Sequence, residues 1–369
     1  MRNSVCGLLA VLLCGTPGQP VQAQDPSTGT TGPWPVGFAL VRTVDSTRRL
    51  DTGDVRPLDI GVWYPASRAR QPRLTYRDYF LAAATGKELE AFSRFLLSHG
   101  ARNAELAGWL AAPMMAARDV RVAGPRFPLI LIAQGNGQTV PDQAPLAEFL
   151  ASHGYVVATT PSPMRITGPL TDEAQMGTRA AEQAMDLERA AEDLRRRRSD
   201  IADDLIGVVG HSFGARAGLL LLMRDSGVRA LVSLDGGIGT ATGRSSLEAL
   251  PGFRATAVQA PILHFYEELD DFMTPDFSLL RSLTGAERWV RRAPLRHHLF
   301  TSLGAASGTH RAMRVAIGAD DTTAAAYIAV VEETKGFLDA FLKHEPAARA
   351  RLDGPAGRQP LGPLERLGR

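Results

Sequence analysis

The chain has 369 residues, of which 44% are hydrophobic and 22% are charged, and its formal net charge is +2. This composition is ordinary for a globular protein with one large core, and it excludes a fibrous or wholly disordered chain. The nearly balanced charge also excludes the basic surface that nucleic-acid binding requires.

The N-terminal segment has the pattern of a secretory signal peptide. Arg2 precedes an apolar run, and residues 21–23 are compact enough for a cleavage site. The run is too short to span a bilayer, so we expect no transmembrane segment in the mature chain. We predict that residues 1–23 are removed and that the protein is periplasmic or secreted. Both cysteines, Cys6 and Cys14, lie in this segment, which leaves no thiol for a disulfide.

The composition divides the remaining chain into three parts. Residues 24–36 are rich in Pro, Gly, Ser and Thr, and are predicted to form a disordered leader. Residues 37–345 are expected to form a single domain. The tail, 346–369, is rich in Pro, Gly and Arg, and is predicted to be mobile.

Within the domain, strands and helices alternate. Two strands, 38–41 and 59–65, come before any helix, which is typical of the antiparallel start of a sheet. Short apolar runs then predict buried strands at 127–133, 155–159, 205–209, 228–234, 261–266 and 289–290. Helical patterns separate them, and a closing helix is predicted over 324–342. This order indicates a mostly parallel central sheet with helices on both faces.

One insert, at about 74–118, interrupts the alternation with two or three predicted helices. Its apolar residues fall at helical spacing, which favours a helical layer packed on the core. The alternative is a lid over the mouth of a site, for which Trp109, Met114 and Met115 would form an adaptable apolar wall.

A Gly-x-Ser-x-Gly motif, Gly210-His211-Ser212-Phe213-Gly214, joins a predicted strand to a predicted helix. The two glycines allow a turn too tight for side chains at those positions. Such a turn exposes the serine hydroxyl at its apex, as in the nucleophile turn of serine hydrolases. Ser212 is therefore a candidate nucleophile.

A serine nucleophile needs a histidine base and an acid that orients the base. Asp235 ends the strand after the serine helix, and Asp270 and Asp271 follow the next strand. His297 and His298 lie beyond the last predicted strand. Serine, acid and histidine thus occur in the order expected for a nucleophile turn of this kind, with the choice of acid and histidine open.

A Gly-rich loop, Gln134-Gly135-Asn136-Gly137-Gln138, follows the strand 127–133. Glycine allows a backbone N–H group to point into a site, as an oxyanion hole requires. We expect the N–H groups of Asn136 and Phe213 to hold the oxyanion. Each such donor stabilises the transition state by roughly 3 kcal/mol.

These motifs resemble those of secreted α/β-hydrolases similar to platelet-activating-factor acetylhydrolase and to bacterial dienelactone-hydrolase-like esterases. The resemblance runs over about 58–345 and rests on Val62-Trp63-Tyr64-Pro65, Phe127-Pro128-Leu129-Ile130, the stretch 150–157, the serine motif, Leu234-Asp235-Gly236 and His297-x-x-Phe300. It implies an α/β-hydrolase fold. It also favours Asp235 over Asp270 and Asp271 as the acid, and His297 over His298 as the base.

One position departs from this family, in which His-Gly usually begins the oxyanion loop. This chain has Gln134-Gly135, and we expect the Gln134 side chain to hold the loop by hydrogen bonds.

The sequence therefore predicts an exported serine hydrolase that cleaves small-molecule carboxylic esters, lipid-like esters included. It needs no cofactor, and no His, Cys and Asp cluster has the spacing of a metal site. Two alternatives stay open: an acyltransferase that uses the same nucleophile, and a non-catalytic binding protein of the same fold, which the Gln134 departure motivates.

Overall fold

The computed structural model describes residues 24–25, 29–67, 71–83, 87–170, 172–267, 269, 272–353 and 359–368. The predicted signal peptide and the candidate acids Asp270 and Asp271 lie outside these ranges.

The strands of the described residues are β1 (Gln24–Asp25), β2 (Gly29–Thr30), β3 (Val36–Arg49), β4 (Val55–Pro65), β5 (Arg73–Thr75), β6 (Pro113–Arg118), β7 (Phe127–Ala133), β8 (Val156–Thr159), β9 (Ile201–His211), β10 (Val228–Leu234), β11 (Ile262–Tyr266), β12 (Arg288–Arg292) and β13 (Leu364–Arg366). Strands β1 and β2 pair with each other. The others form one sheet in the order β13-β12-β11-β10-β9-β7-β8-β4-β3-β6-β5.

The α-helices are α1 (Tyr76–Ala83), α2 (Lys87–Ser98), α3 (Asn103–Leu110), α4 (Ala144–Ser152), α5 (Met164–Thr167), α6 (Gln175–Arg197), α7 (Gly214–Arg224), α8 (Ala241–Glu248), α9 (Ser278–Ser282), α10 (Ser302–Thr309), α11 (Thr323–Leu342) and α12 (Pro346–Asp353). Short 3-10 helices occupy Val140–Gln143, Gly237–Gly239, Ala255–Ala257, His297–Phe300 and Arg311–Met313.

The six central strands, from β12 to β8 along the sheet, all run parallel. Strands β3 and β4 pair antiparallel, as the sequence predicts. Every residue of β7 is buried, because the core covers both of its faces. One face packs against α1–α4 and α10–α12, and the other against α5–α9. The predicted architecture, a mostly parallel sheet between two helical layers, is confirmed.

The insert begins with the end of strand β5 and continues as three helices, but its C-terminal part differs from the prediction. Met114 and Met115 lie on strand β6, which pairs parallel with β3 and antiparallel with β5. The helix prediction for 113–118 is therefore wrong, because hydrogen bonding to the edge of β3 overrides the weak local preference of Met and Ala. Tyr76 and Trp109 are buried in the core with their rings stacked 5.0 Å apart, as a packed helical layer requires. Trp109 and both methionines also line a cavity of about 710 Å³, to which none of the three favoured catalytic residues contributes.

The described part of the leader is ordered, in contrast to the prediction. The backbone N–H group of Gly32 donates to Ser152 Oγ at 2.9 Å, and that of Trp34 to the Ser152 carbonyl at 3.1 Å. The Trp34 ring meets Phe127 edge to face at 5.4 Å. The contacts of this partly buried aromatic side chain and the two backbone hydrogen bonds outweigh the disorder that the surrounding composition favours.

The predicted mobile tail is likewise structured where it is described. Residues 346–353 form α12, and β13 pairs antiparallel with the edge of β12. Leu361 and Leu367 are buried, while Arg349 and Arg366 both form ion pairs with Glu287. The prediction failed because the tail covers an otherwise open sheet edge, which composition alone does not reveal. Among the described helices, none is both long enough and apolar enough to cross a membrane.

Candidate active site

Ser212 stands at a strained turn between β9 and α7. Its φ angle is +54°, in the left-handed region that few non-glycine residues adopt. A Cβ atom at Gly210 would lie 2.6 Å from the Cα atom of Ala215, and one at Gly214 would lie 2.1 Å from the carbonyl oxygen of Ala133. Both glycines are thus required by close backbone contacts, as the motif predicts, and the turn leaves the Ser212 side chain partly exposed.

Three side chains that the sequence nominates form one hydrogen-bonded chain. His297 Nε2 lies 2.9 Å from Ser212 Oγ, and His297 Nδ1 lies 2.5 Å from Asp235 Oδ2. A carboxylate only accepts hydrogen bonds, so Nδ1 carries the proton and Nε2 is left to accept the serine hydroxyl. The side chain of Asp235 is 3% exposed and that of His297 is 12% exposed, so the pair is largely shielded from water.

Asp235 is held by the ends of two neighbouring strands. It follows β10 with a φ angle of +43°, and its N–H group donates to the Phe265 carbonyl of β11 at 2.9 Å. The N–H group of Glu267 donates to Asp235 Oδ1 at 3.1 Å, which leaves Oδ2 for His297. The sequence does not reveal this second contact, because it depends on the parallel register of β10 and β11.

His211, next to Ser212, is a packing residue. It is buried, and its ring centroid lies 4.9 Å from that of His297. Its Nε2 atom lies 3.2 Å from the His297 carbonyl oxygen and its Nδ1 atom 3.0 Å from Gln138 Oε1. Burial holds the pKa of His211 well below its usual value, and the charge of a protonated His297 lowers it further. His211 is therefore neutral beside His297.

The loop after β7 is anchored through two glutamines. Gln134 is fully buried, and its Nε2 donates to Thr159 Oγ1 at 3.0 Å, as expected for a residue that holds the loop. Gln138 Oε1 accepts the N–H group of Gly135 at 2.7 Å as well as contacting His211. Sequence reasoning missed Gln138, for which the only signal was its position at the end of the Gly-rich loop. Its side chain links this loop to the turn that carries Ser212.

The two expected oxyanion donors lie where the loop and the turn adjoin. Asn136 is exposed two residues after buried Gln134, and Phe213 occupies the N-cap position of α7 directly after Ser212. The parallel pairing of β7 with β9 aligns Ala133 with Gly210, so the loop and the turn leave the sheet at the same edge.

The other sequence candidates have different positions. His298 Nε2 donates to the Ile317 carbonyl at 2.7 Å, so its ring is engaged away from Ser212. Asp270 and Asp271 lie outside the described residues. The sequence did not suggest Phe272, which is 68% exposed and whose ring centroid lies 4.5 Å from that of His297. Within the described chain, no group of three His, Cys, Asp or Glu side chains is arranged to hold a metal ion.

Comparison with known proteins gave a match in structure and none in sequence. No protein-family model matches the chain, and no curated protein is similar in sequence. A solved ferulic acid esterase from Streptomyces cinnamoneus matches with a TM-score of 0.66 and 22% sequence identity, over 89% of this chain and 96% of that chain. The likeness shows the fold, and the α/β-hydrolase fold expected from the sequence is confirmed.

Proposed function

We propose that this protein is an exported serine hydrolase that cleaves small-molecule carboxylic esters through an acyl-enzyme on Ser212. The observation that carries the proposal is the hydrogen-bonded chain from Ser212 Oγ to His297 and on to Asp235. Its donors and acceptors have the polarity that general-base activation of a serine needs. We further propose that the protein is close to the acetylhydrolase-like and dienelactone-hydrolase-like esterases that its motifs resemble.

The reaction follows from these positions. His297 Nε2 takes the proton of Ser212 while Oγ attacks the ester carbonyl carbon, and the N–H groups of Phe213 and Asn136 hold the resulting oxyanion. Collapse of this intermediate breaks the bond to the alcohol, which leaves with the proton from His297. Water then attacks the acyl-enzyme by the same route and releases the acid. Asp235 keeps the proton of neutral His297 on Nδ1 and stabilises the imidazolium as it forms.

An ester substrate is supported by the fold shared with a ferulic acid esterase. The exposed ring of Phe272 also packs on His297 and adds an apolar surface beside it. An apolar rim of this kind favours substrates with an apolar or aromatic part.

A fluorophosphonate tests the nucleophile. In the reaction, Ser212 Oγ forms a bond to phosphorus and fluoride leaves. We expect the intact mass of the wild-type protein to increase by one adduct, and that of Ser212→Ala to stay unchanged. Ser245→Ala, which removes an exposed hydroxyl on α8, is the matched control and should still react. A folded wild-type protein that forms no adduct would favour the non-catalytic binding protein.

The fate of the acyl group separates hydrolysis from transfer. We expect turnover of a phenyl ester to give only free acid when an acceptor alcohol is added. A new ester as the main product would instead identify an acyltransferase with the same nucleophile.

Export is tested by the N-terminus of the protein recovered from a host that expresses the whole chain. We expect the protein outside the cytoplasm, beginning at Gln24. An intact N-terminus on active cytoplasmic protein would contradict export.

A further inference from the structure

Arg216 is a buried cation beside the nucleophile turn. It is the third residue of α7, and the side chain reaches the loop that follows Asp235. A Cβ atom at Gly237 would lie 2.0 Å from Arg216 Nη1, so the guanidinium packs directly against this glycine. The N–H group of Gly237 donates to the Ser212 carbonyl at 2.9 Å. A single glycine therefore separates the guanidinium from the backbone of the candidate nucleophile.

This guanidinium has no hydrogen-bond partner or ion pair among the described residues. Arg216 is 6% exposed, and Nε is enclosed without an acceptor, whereas the two terminal nitrogens are not fully enclosed. The other buried arginines have partners: Arg56 contacts Asp186 at 2.6 Å, Arg291 forms an ion pair with Glu333, and Arg288 donates to backbone carbonyls. An unpaired buried charge is unfavourable, so proteins rarely keep one without a use.

The charge persists at neutral pH. Burial lowers the pKa of Arg216 to about 10, and the exposed carboxylate of Glu173 acts weakly in the opposite direction. Glu173 lies two residues before α6, and the neighbouring Asp172 carboxylate accepts the N–H group of Ala174 at 3.0 Å.

The surroundings leave Arg216 at the substrate end of the sheet. Gly237 follows β10, and the carboxyl ends of parallel strands are where ligands bind in open α/β sheets. Gly243 of α8 packs on the Gly237 carbonyl, and Gly177 in the first turn of α6 packs on the Ser246 carbonyl of α8. The backbone of Gly237 thus covers one side of the guanidinium, and no described carboxylate forms an ion pair with it.

We propose that Arg216 binds a carboxylate of the substrate, so that the preferred substrates are esters whose acyl or alcohol part carries a second, anionic carboxyl group. The planar guanidinium can donate two parallel hydrogen bonds to such a group. This inference rests on the proposed esterase function for the reaction, but the binding of a carboxylate does not depend on turnover.

Binding is therefore tested first in the Ser212→Ala protein, which cannot form an acyl-enzyme. Benzoate is added at constant ionic strength, with chloride as the reference and inorganic phosphate as a second oxoanion. We expect benzoate to raise the unfolding temperature of Ser212→Ala by several degrees and to leave that of the Ser212→Ala, Arg216→Met double variant unchanged. A response to phosphate but none to benzoate would overturn the carboxylate assignment, as would equal responses in both proteins.

Turnover is tested with two matched pairs of substrates. In 4-acetoxybenzoate and its methyl ester, the free or blocked carboxyl group lies on the alcohol part of the acetyl ester. In ethyl hydrogen adipate and diethyl adipate, it lies on the acyl part. In at least one pair, we expect Arg216→Met to lower the ratio of kcat/KM for the anionic over the neutral ester at least tenfold. Arg216→Lys should recover part of that ratio. Arg224→Met, at the exposed end of the same helix, should keep the wild-type ratio. Equal losses for both members of each pair would assign Arg216 a structural role and overturn the proposal.

The unfolding temperature distinguishes a binding role of Arg216 from a structural role without any substrate. An apolar side chain of similar length removes an unpaired buried charge, so we expect Arg216→Met to unfold at the same temperature as the wild type or higher. A large fall in that temperature would mean that the guanidinium supports the fold. If no ester is turned over but benzoate still binds through Arg216, the proposed function fails and the anion site stands.

Discussion

Two strained residues meet at the candidate site. Ser212 and Asp235 both have positive φ angles, and each lies at the end of a parallel strand. Hydrogen bonds to neighbouring backbone hold both conformations: Ser212 N–H donates to the Leu234 carbonyl at 3.1 Å, and Asp235 N–H to that of Phe265 at 2.9 Å. The sheet thus stabilises a local geometry that the residues would not adopt by themselves.

In the proposed mechanism, Asp235 keeps the proton of His297 on Nδ1. We expect Asp235→Asn to lower kcat about 10⁴-fold, because an amide can donate to Nδ1 and favours the wrong tautomer of His297. Ester hydrolysis at saturating substrate measures the effect, with circular dichroism to check the fold. Asp276→Asn, whose carboxylate accepts the Ser278 N–H group at 2.7 Å instead, is the control. A decrease in kcat of less than tenfold would mean that another residue acts as the acid. Asp270 and Asp271 are the other candidates from the sequence.

The side chain of Gln138 links the loop after β7 to the turn that carries Ser212. Gln138 accepts hydrogen bonds from Gly135 N–H and from His211. We expect Gln138→Ala to lower kcat roughly 10- to 100-fold with a smaller effect on KM, because a displaced loop weakens an oxyanion donor. Gln138→Glu keeps the acceptor oxygen and should recover most of the activity. If Gln138→Ala raises KM alone, the loop contributes to substrate binding and not to the oxyanion hole.

The segment around the C-terminal strand β13 contributes to the stability of the fold. Leu361 is buried beside the edge strand β12, so we expect Leu361→Ala to lower the free energy of unfolding by about 2 to 5 kcal/mol. Urea denaturation measures the change. Leu81→Ala, at a side chain that is half exposed on α1, is the matched control and should cost less. If Leu361→Ala left the free energy of unfolding unchanged, the tail would be mobile, as its composition predicts.

For the whole molecule, buried titratable groups link stability to pH. Burial lowers the pKa of His264 and of His153 to about 4, from an ordinary value of 6.5. Between these values the unfolded chain binds more protons than the folded one, so stability is lost as the pH falls from 6.5 towards 4. Asp142 acts in the opposite direction, because burial raises its pKa from 3.8 to about 6. Because two histidines act against one carboxyl group, we expect the free energy of unfolding to fall as the pH is lowered from 6.5 towards 4.

His264→Asn tests this dependence, because an amide can keep the contact with Ser233 Oγ, which lies 2.9 Å from His264 Nδ1. We expect the slope of the free energy of unfolding against pH, between 6.5 and 4, to fall by about 1.4 kcal/mol per pH unit in this variant. Urea titrations at several pH values provide the slopes. His99→Asn removes an exposed histidine and serves as the control. Equal slopes for the wild type and His264→Asn would show that His264 does not titrate in the folded protein.

Local patterns in the sequence determined much of this architecture. Apolar runs of β-branched residues predicted the central strands, since burial on both faces leaves a continuous hydrophobic signal. The spacing of Gly210, Ser212 and Gly214 predicted the nucleophile turn, because only a very tight turn requires glycine at both flanking positions. Such signals are local, so they can be read without knowing which elements become neighbours.

Contacts between distant segments were decided only by the tertiary structure. His297 and Asp235 are 62 positions apart, and strand register brings their side chains together while turning His298 towards Ile317. The pairing of β6 with β3 and of β13 with β12 overrode local composition. The burial of Arg216 and the hydrogen bonds of Gln138 likewise depend on elements far away in the chain. Sequence patterns record the propensities of single segments, whereas the pairing of charges and sheet edges is a property of the assembled core.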